Sequence, residues 1–265
     1  MINRKTKPEI EKMRQGGKIL AGVLFELLEN IKPGVSEIEI DQLAEKLIRT
    51  KGAFPGFKKV KGYKHSICVS TNNAVVHGVP TNYKFKNGDV VGIDCGVYYK
   101  GFHTDMAETL RVKSQITNLL AGKAGHKSQK VDMIDKFIET GKKALNEAIK
   151  AAKIGNRIGS ISKTIQGIIE TQGYSVVRSL VGHGVGKRLH EEPEIPGFLS
   201  VPIAKTPKLL EGMTIAIETI YNMGKSDVVL SNDDSWTIKT ADASISGLFE
   251  RTIVVTKDGP VVLTK

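Results

Sequence analysis

The segment GDVVGIDCGVYYKGFHTDMAET, residues 88–109, contains two runs of strand-forming residues on either side of a short polar turn. Its β-branched and aromatic residues predict a β-hairpin with arms at 90–98 and 106–112. Elsewhere, hydrophobic periodicity predicts helices at 8–28, 36–52, 130–153 and 160–171, and strands at 65–70, 175–181, 214–222, 227–230, 236–240, 247–256 and 261–263. Mixed helices and runs of adjacent strands indicate an α+β fold in a single domain over residues 1–265.

Two aspartates face each other across the predicted hairpin. A two-residue loop centred on Tyr99 and Lys100 places Asp94 opposite Asp105, and a bulge at Gly101 would shift this pairing by one residue. Carboxylates that are directly opposite repel each other and destabilise a bare hairpin. Either the two acids both face solvent, or a cation lies between them, and this pair alone favours neither alternative.

Three further segments place an acid or an imidazole among apolar residues or glycines. VGHGVGKRLHEEPEIPG contains His183 and His190, GMTIAIETIYN contains Glu218, and LFERTIVVT contains Glu250. A single buried Glu or His in a strand is usually a satisfied structural residue. Four carboxylates gathered in one core, however, would remain ionised only with compensating cations. Two divalent metals would balance them, and oxygen ligands with one imidazole suit Mn, Fe, Co or Zn.

Together with NNAVVHGVP and TIKTADASISGLFERTIVV, these segments resemble the methionine aminopeptidases, which have the pita-bread fold. The motifs follow the family's order along nearly the whole chain. The resemblance implies antiparallel sheets covered by helices in pseudo-twofold halves, and the spacing of Glu218 and Glu250 favours the type I enzymes. It also implies a hydrolase that removes the initiator methionine from nascent polypeptides and favours a small second residue. We further expect the protein to be a cytoplasmic monomer.

The resemblance assigns a set of metal ligands. Asp94, Asp105, His183, Glu218 and Glu250 match the family residues that bind two metals. Asp105 and Glu250 would bridge the two ions, Asp94 would serve one ion, and His183 with Glu218 would serve the other.

Substrate contacts follow from the same resemblance. His77 and His190 match the two further histidines that contact substrate, and Glu218 is expected to shuttle a proton. Cys68 and Trp236 match positions of the methionine pocket, although ordinary core packing is a serious alternative for both. Phe57 or Tyr63 would complete this pocket.

The chain departs from the family pattern at three places. Thr219 stands after the metal-binding Glu where the family usually has Pro, and we expect little effect on ligation. Leu189 precedes the second histidine of the HGxG loop where an aromatic residue is usual, so the pocket should have a different shape. The stretch between the second aspartate and the first HGxG histidine is longer than usual, with the extra length expected at 113–130.

The charge of the chain suggests a second kind of partner. Its 265 residues include 39 Lys and Arg against 28 Asp and Glu, a formal charge of +11, and the excess is confined to 51–65 and 111–163. A solvated face or an anionic partner would explain this patch. Since the enzymes that the chain resembles act on polypeptides leaving the ribosome, ribosomal RNA could dock on the Lys-rich residues 113–153. No signal peptide or apolar span is present, so no membrane contact is expected, and two cysteines suit a reducing cytoplasm.

Two other functions are compatible with parts of this pattern. A prolidase or Xaa-Pro aminopeptidase uses the same kind of five-ligand site, but usually carries an additional N-terminal domain. A metal-free module of the same fold could bind RNA or ribosomes, but such proteins tend to lose ligands, whereas all five are present here. Methionine release from peptides, with and without chelator, would separate the three functions.

Overall fold

A computed structural model describes residues 2–113 and 133–265. Within these ranges the chain forms four α-helices and thirteen β-strands. The helices are α1 (Lys7–Asn30), α2 (Glu37–Thr50), α3 (Met133–Ala151) and α4 (Ile158–Thr171). The strands are β1 (Phe54–Pro55), β2 (Ile67–Thr71), β3 (Ala74–Val76), β4 (Val90–Tyr99), β5 (Phe102–Arg111), β6 (Ser175–Val176), β7 (Val181–Gly184), β8 (Glu191–Pro196), β9 (Thr214–Asn222), β10 (Val228–Leu230), β11 (Ile238–Thr240), β12 (Ser246–Thr256) and β13 (Gly259–Val262).

The start and the end of α2 show how local sequence sets a helix. The Ser36 N–H donates to the Glu39 carboxylate at 2.7 Å, and the Glu39 N–H donates to the Ser36 hydroxyl at 3.4 Å, which forms the predicted capping box. Gly52 follows the helix with φ +72°, and its N–H donates to the Arg49 carbonyl. Glycine adopts positive φ without steric cost, so the chain can leave the helix here.

Most strands form one antiparallel sheet. Its main path has the order β1-β4-β5-β12-β9-β7-β8, with β2, β6 and β13 paired to β4, β9 and β12. A smaller sheet has the order β10-β11-β3. The two halves of the chain are arranged similarly about the β5–β12 contact. In each half, two helices precede a long antiparallel strand pair, β4–β5 or β9–β12.

Each half buries its own hydrophobic core behind the sheet. In the first half, α1 and α2 pack on β2 and β4 through residues such as Leu24, Ile48 and Ile93. In the second half, α3 packs on β9 and β12, and α4 packs on α3, β6 and β8, with Ile165 and Ile253 in one shared core. Burial of these side chains supports the central strands from both sides of the β5–β12 contact.

The predicted hairpin forms, but its register differs from the prediction. The turn is centred on Lys100 and Gly101 rather than on Tyr99 and Lys100, and no bulge interrupts the ladder. Lys100 has φ +48° and Gly101 has φ +89°, the combination of a type I′ turn, whose twist suits a two-residue hairpin loop. Asp94 and Asp105 are therefore diagonal neighbours on one face of the sheet and are not directly opposite.

Other differences concern the bounds of elements. The second arm of the hairpin begins at Phe102 instead of residue 106, because the ladder continues up to the two-residue turn. The single strand predicted at 175–181 is two strands, β6 and β7. The short strands β1, β3 and β8 were not predicted, since their few residues show too little alternation. Within the predicted helix at 130–153 the structure shows α3, and residues 114–132 lie outside the described part of the chain.

Candidate metal centre

Three carboxylates form a row across the four central strands. Asp94 on β4 pairs with Ala107 on β5, Ala107 pairs with Glu250 on β12, and Glu250 pairs with Glu218 on β9. Paired residues on antiparallel strands point to the same face, so the three acids share one face of the sheet. Asp105 lies two residues before Ala107 on β5 and joins this face. The sequence motifs therefore converge, although they lie far apart along the chain.

An imidazole on β7 completes the group. His183 pairs with Ala216, two residues before Glu218, and so points to the same face. Its Nδ1 lies 2.8 Å from the carbonyl oxygen of Gly184, which can only accept, so this nitrogen carries the proton. The other nitrogen, Nε2, keeps its lone pair and lies 3.5 Å from Glu218 Oε1. Fixing one nitrogen in this way orients a histidine for metal ligation.

Three of these side chains come especially close. One ligand atom each of Asp105, His183 and Glu250 lies within 4.8 Å of the other two, and all three residues are buried. The group takes one residue from β5, one from β7 and one from β12, so it spans both halves of the chain. Asp94 and Glu218 flank it on β4 and β9.

The electrostatics of the cluster fit a bound cation. Asp94 Oδ1 and Glu250 Oε1 are buried and have no hydrogen-bond partner among the described residues. Burial raises the pKa of all four carboxyls, to about 7 for Asp94, and neighbouring carboxylates raise the pKa of Asp105 and Glu250 further. Burial also lowers the pKa of His183 to about 4, which keeps its imidazole neutral. Carboxylate oxygens with one neutral imidazole form a donor set that suits a divalent transition metal.

Thr252 holds one of the acids in place. The Asp105 N–H donates to Thr252 Oγ1 at 2.9 Å, and the Thr252 hydroxyl donates to the Asp105 carbonyl at 2.8 Å. The Met106 N–H donates to Asp105 Oδ1 at 3.1 Å. The Thr252 bonds fix the backbone of Asp105 against β12, and the Met106 bond orients its carboxylate. No sequence pattern marks Thr252, because a threonine within a strand is commonplace.

The carboxylates and His183 line a cavity of about 590 Å³. His77 and His190 also line it, and both side chains are exposed to it. The His190 ring packs edge-on against His183, with ring centroids 4.4 Å apart. His77 has φ +56°, an uncommon conformation for a residue with a side chain, and such strain concentrates at functional sites. The two further histidines predicted to contact substrate therefore lie beside the candidate metal ligands.

One end of the cavity is apolar. Its wall contains Cys68 and Trp236, together with both Phe57 and Tyr63 and with Leu189. The rings of Tyr63 and Trp236 meet edge-on with centroids 5.2 Å apart. Burial raises the pKa of the Cys68 thiol, so this residue remains a neutral part of the wall. The shape and polarity of this end suit a flexible apolar side chain.

Thr219 and Leu189, the two residues that differ from the family pattern, lie in different surroundings. Thr219 follows Glu218 directly, so its side chain points to the opposite face of β9, away from the carboxylates. Leu189 is buried in the apolar wall next to His190. The departure at Leu189 therefore affects the cavity, whereas the one at Thr219 affects the packing behind the sheet.

The fold and the site have known counterparts. The chain matches the model of Metallopeptidase family M24 over residues 11–257 and belongs to that family. It is 42% identical over its whole length to a methionine aminopeptidase of Clostridium perfringens, of which 99% is covered. The crystal structure of methionine aminopeptidase from Thermotoga maritima superimposes with a TM-score of 0.90 at 37% identity, covering 100% of both chains. The resemblance to methionine aminopeptidases is thus confirmed, and with it the class of enzyme, a metallo-aminopeptidase.

A more distant counterpart bears on one alternative. Prolidase from Pyrococcus furiosus matches with a TM-score of 0.73 at 25% identity, covering 99% of this chain and 65% of the prolidase. The predicted α+β, pita-bread class is therefore confirmed by both kinds of enzyme. The shorter coverage of the prolidase agrees with the expectation that prolidases carry additional residues. Among the described residues, no helix has the length and apolarity needed to cross a membrane.

Proposed function

We propose that this chain removes the N-terminal methionine from newly made polypeptides. The observation that carries the proposal is the row of Asp94, Glu250 and Glu218, joined by Asp105 and His183, beside a cavity with an apolar end. The carboxylates and the imidazole would hold two divalent ions, drawn from Co, Mn, Fe or Zn. The apolar end would receive the methionine side chain.

The ligand roles follow the family pattern. Asp105 and Glu250 come from opposite sides of the β5–β12 contact, and both would be among the residues that hold the ions. Asp94 on β4 would serve one ion, and His183 with Glu218 would serve the other. When bound, such ions supply Lewis-acid chemistry and lower the pKa of water, so that hydroxide is available near neutral pH.

Side chains of the cavity would transfer protons and orient the substrate. Glu218, whose side chain is 14% exposed, can take a proton from the attacking water and pass it to the leaving amine. His190 is exposed to the cavity and can donate a hydrogen bond to the oxyanion that develops on the scissile carbonyl. His77 would bond the scissile amide or assist the leaving amine. Cys68 and Trp236 would position the methionine side chain.

Peptide hydrolysis tests this function directly. The protein would be freed of metal and assayed with Met-Ala and Met-Leu peptides, with Mn, Fe or Co added, and again with chelator. We expect metal-dependent release of free methionine, and faster hydrolysis of Met-Ala than of Met-Leu would show the preference for a small second residue. An Xaa-Pro dipeptide serves as the comparison substrate. Hydrolysis of that dipeptide without release of methionine would favour a prolidase and overturn the proposal.

The Lys-rich residues 113–153 provide a second, separable proposal. Lys136, Lys143 and Lys150 on α3 are exposed and lie outside the cavity wall. We propose that this face docks on ribosomal RNA, and that the protein acts as a cytoplasmic monomer with one catalytic domain over residues 1–265. Phosphate contacts of this kind weaken as salt rises.

Charge reversal tests the docking. Changing the three lysines to Glu together should weaken salt-sensitive binding to purified ribosomes about tenfold or more, while hydrolysis of Met-Ala stays within twofold. Unchanged ribosome affinity would mean that the lysines form only a solvated face.

A further inference from the structure

A buried ion pair joins the N-terminal segment to the loop beside the active site. Lys5 Nζ lies 2.6 Å from Glu191 Oε2, and the two side chains are 6% and 2% exposed. By contrast, Lys257 and Glu211 are 3.9 Å apart and are 78% and 44% exposed. Burying two charges costs solvation free energy, which only good geometry and further hydrogen bonds offset. A buried pair is therefore a poor means of general stabilisation and calls for a local explanation.

Glu191 closes the turn that carries His190. Its Oε1 accepts a hydrogen bond from the Arg188 N–H at 3.1 Å. Its Oε2 accepts hydrogen bonds from Asn3 Nδ2 at 3.3 Å and from Lys5 Nζ. The Glu191 carboxylate therefore binds Arg188, two positions before His190, and the Glu191 backbone directly follows His190. Hydrogen bonds and the neighbouring Lys5 charge hold the pKa of Glu191 below its ordinary value against the effect of burial. The carboxylate thus stays ionised near neutral pH and keeps these bonds.

The same loop is tied to the candidate metal ligand. Glu191 pairs with Gly184, the residue after His183, in the β7–β8 ladder. The His190 ring rests edge-on against the His183 ring. Displacement of Glu191 would therefore move His190 first, and would reach His183 through the ladder and through the ring contact.

Lys5 reaches Glu191 along a fixed path. Its side chain crosses Gly186, where an added Cβ would collide with Lys5 Cε and would lie 2.7 Å from Nζ. Its backbone N–H donates to the Gly212 carbonyl at 2.7 Å, in the turn that precedes β9. Arg4 Nε donates to the Glu211 carbonyl at 2.7 Å. The N-terminal segment is thus held against the base of the strand that carries Glu218, and Lys5 extends from there to Glu191.

We propose that Lys5 is a positioning residue that acts through Glu191 to hold His190 against the cavity. The proposal rests on the proposed function, in which His190 stabilises the oxyanion. Lys5 does not line the cavity. Glu191 does line it, but its carboxylate is occupied by Lys5, Asn3 and Arg188, so neither Lys5 nor Glu191 is free to act as a catalytic group. Their effect on the reaction would come from the geometry of the turn.

A mutant cycle with His190 tests this coupling. Lys5→Met keeps most of the aliphatic stem and removes the charge. In the otherwise unchanged enzyme we expect kcat for Met-Ala to fall at least tenfold with KM within twofold, because an interaction made only in the transition state is lost. In the His190→Ala background, Lys5→Met should change kcat less than twofold, since the residue it positions is absent. Equal losses in both backgrounds would overturn the proposal.

Matched controls separate positioning from folding. Lys257→Met removes the exposed lysine and should leave kcat within twofold. Lys5→Arg keeps the charge and should restore at least part of kcat. Should Lys5→Met fail to fold, the double variant Lys5→Met with Glu191→Gln removes both buried charges, and the same test with and without His190→Ala applies. Full activity of a folded double variant would overturn the proposal.

A spectroscopic measurement is independent of turnover. The ring signals of His190 in protein labelled at histidine, assigned with His190→Ala, should shift in Lys5→Met and stay unchanged in Lys257→Met. Absence of a shift would contradict the proposal even in an inactive protein. Failure of the wild-type protein to release methionine would overturn the proposed function instead, so the two failures are distinguishable.

Discussion

The two long strand pairs of the sheet carry their acids in different registers. In β4–β5, Asp94 and Asp105 are diagonal neighbours, whereas in β9–β12, Glu218 and Glu250 are directly opposite. The first pair is joined by a two-residue turn, and the second is joined through the longer excursion that forms β10 and β11. Directly opposite carboxylates repel. The β9–β12 ladder is paired continuously from Ser246 to Val254, which fixes the unfavourable register.

This comparison indicates that a local turn and a long-range ladder can place acids at the same site by different means. The hairpin register depends on which residues accept positive φ. The β9–β12 register depends on cores that bury hydrophobic side chains on both sides of the β5–β12 contact. A shift by one residue in either pair would turn its acids to the other face of the sheet. Substitutions in each strand pair can distinguish a register set by the turn from a register set by the ladder and the cores.

The largest effect should come from removing one acid from each pair. Asp105→Asn and Glu250→Gln keep shape but remove one charge from the group that lies within 4.8 Å. We expect each to lower kcat/KM for Met-Ala by about 10³-fold or more, since metal ions contribute several kcal/mol to such reactions. Metal binding by calorimetry should weaken in parallel. Full activity in either variant would remove that residue from the proposed ligands.

The next effect concerns the pH dependence of the metal-free protein. Burial raises the folded pKa of the four carboxyls above their ordinary values, to about 7 for Asp94. These carboxyls bind more protons in the native state than in the unfolded state, so their stabilisation is present at low pH and is lost as pH rises through the folded pKa. The lowered pKa of His183 acts in the opposite direction, and the four carboxyls outweigh it. Between pH 5 and 7.5 the free energy of unfolding should fall by about 1–3 kcal/mol.

Urea titrations at several pH values would measure this slope. Saturating divalent metal should abolish it, and Glu250→Gln should make it shallower because one titrating group is gone. A slope that Glu250→Gln leaves unchanged would mean that the carboxyls are better solvated than their burial indicates.

The residues of the candidate site could be identified from the sequence, whereas their arrangement in space could not. The acids and His183 could be selected because they interrupt apolar strands or stand among glycines, and the family motifs gave their order. Their convergence could not be derived from spacing, because it depends on the β5–β12 and β7–β9 pairings between distant segments. Thr252 and Lys5 were missed for the same reason: each acts on a residue more than one hundred positions away.

The hairpin register was missed for a different and more local reason. Positive φ at both central positions of the turn usually involves Asn, Asp or Gly, and Lys100 is none of these. The predicted loop at Tyr99 and Lys100 left Gly101 outside the turn, as the site of a bulge. Glycine at that second position is, however, the stronger determinant, because it accepts φ +89° without steric cost.

The smallest effect tests how much the turn contributes to the site. An added Cβ at Gly101 meets no atom within 4 Å, so Gly101→Ala isolates the cost of positive φ from any collision. We expect the free energy of unfolding to fall by about 1 kcal/mol. Gly22→Ala in α1 is the matched control, since Gly22 is equally unobstructed and lies in a helix, where alanine should stabilise by about 0.5–1 kcal/mol.

Activity in the same variant decides between the two sources of register. If the Thr252 bonds to Asp105 and the β5–β12 pairing hold the aspartates, Gly101→Ala should keep kcat/KM within about twofold despite its lower stability. A loss above tenfold in a folded Gly101→Ala protein would show that the turn alone places Asp94 and Asp105. In that case the two strand pairs would differ in the source of their order as well as in their register, because no tight turn joins Glu218 to Glu250.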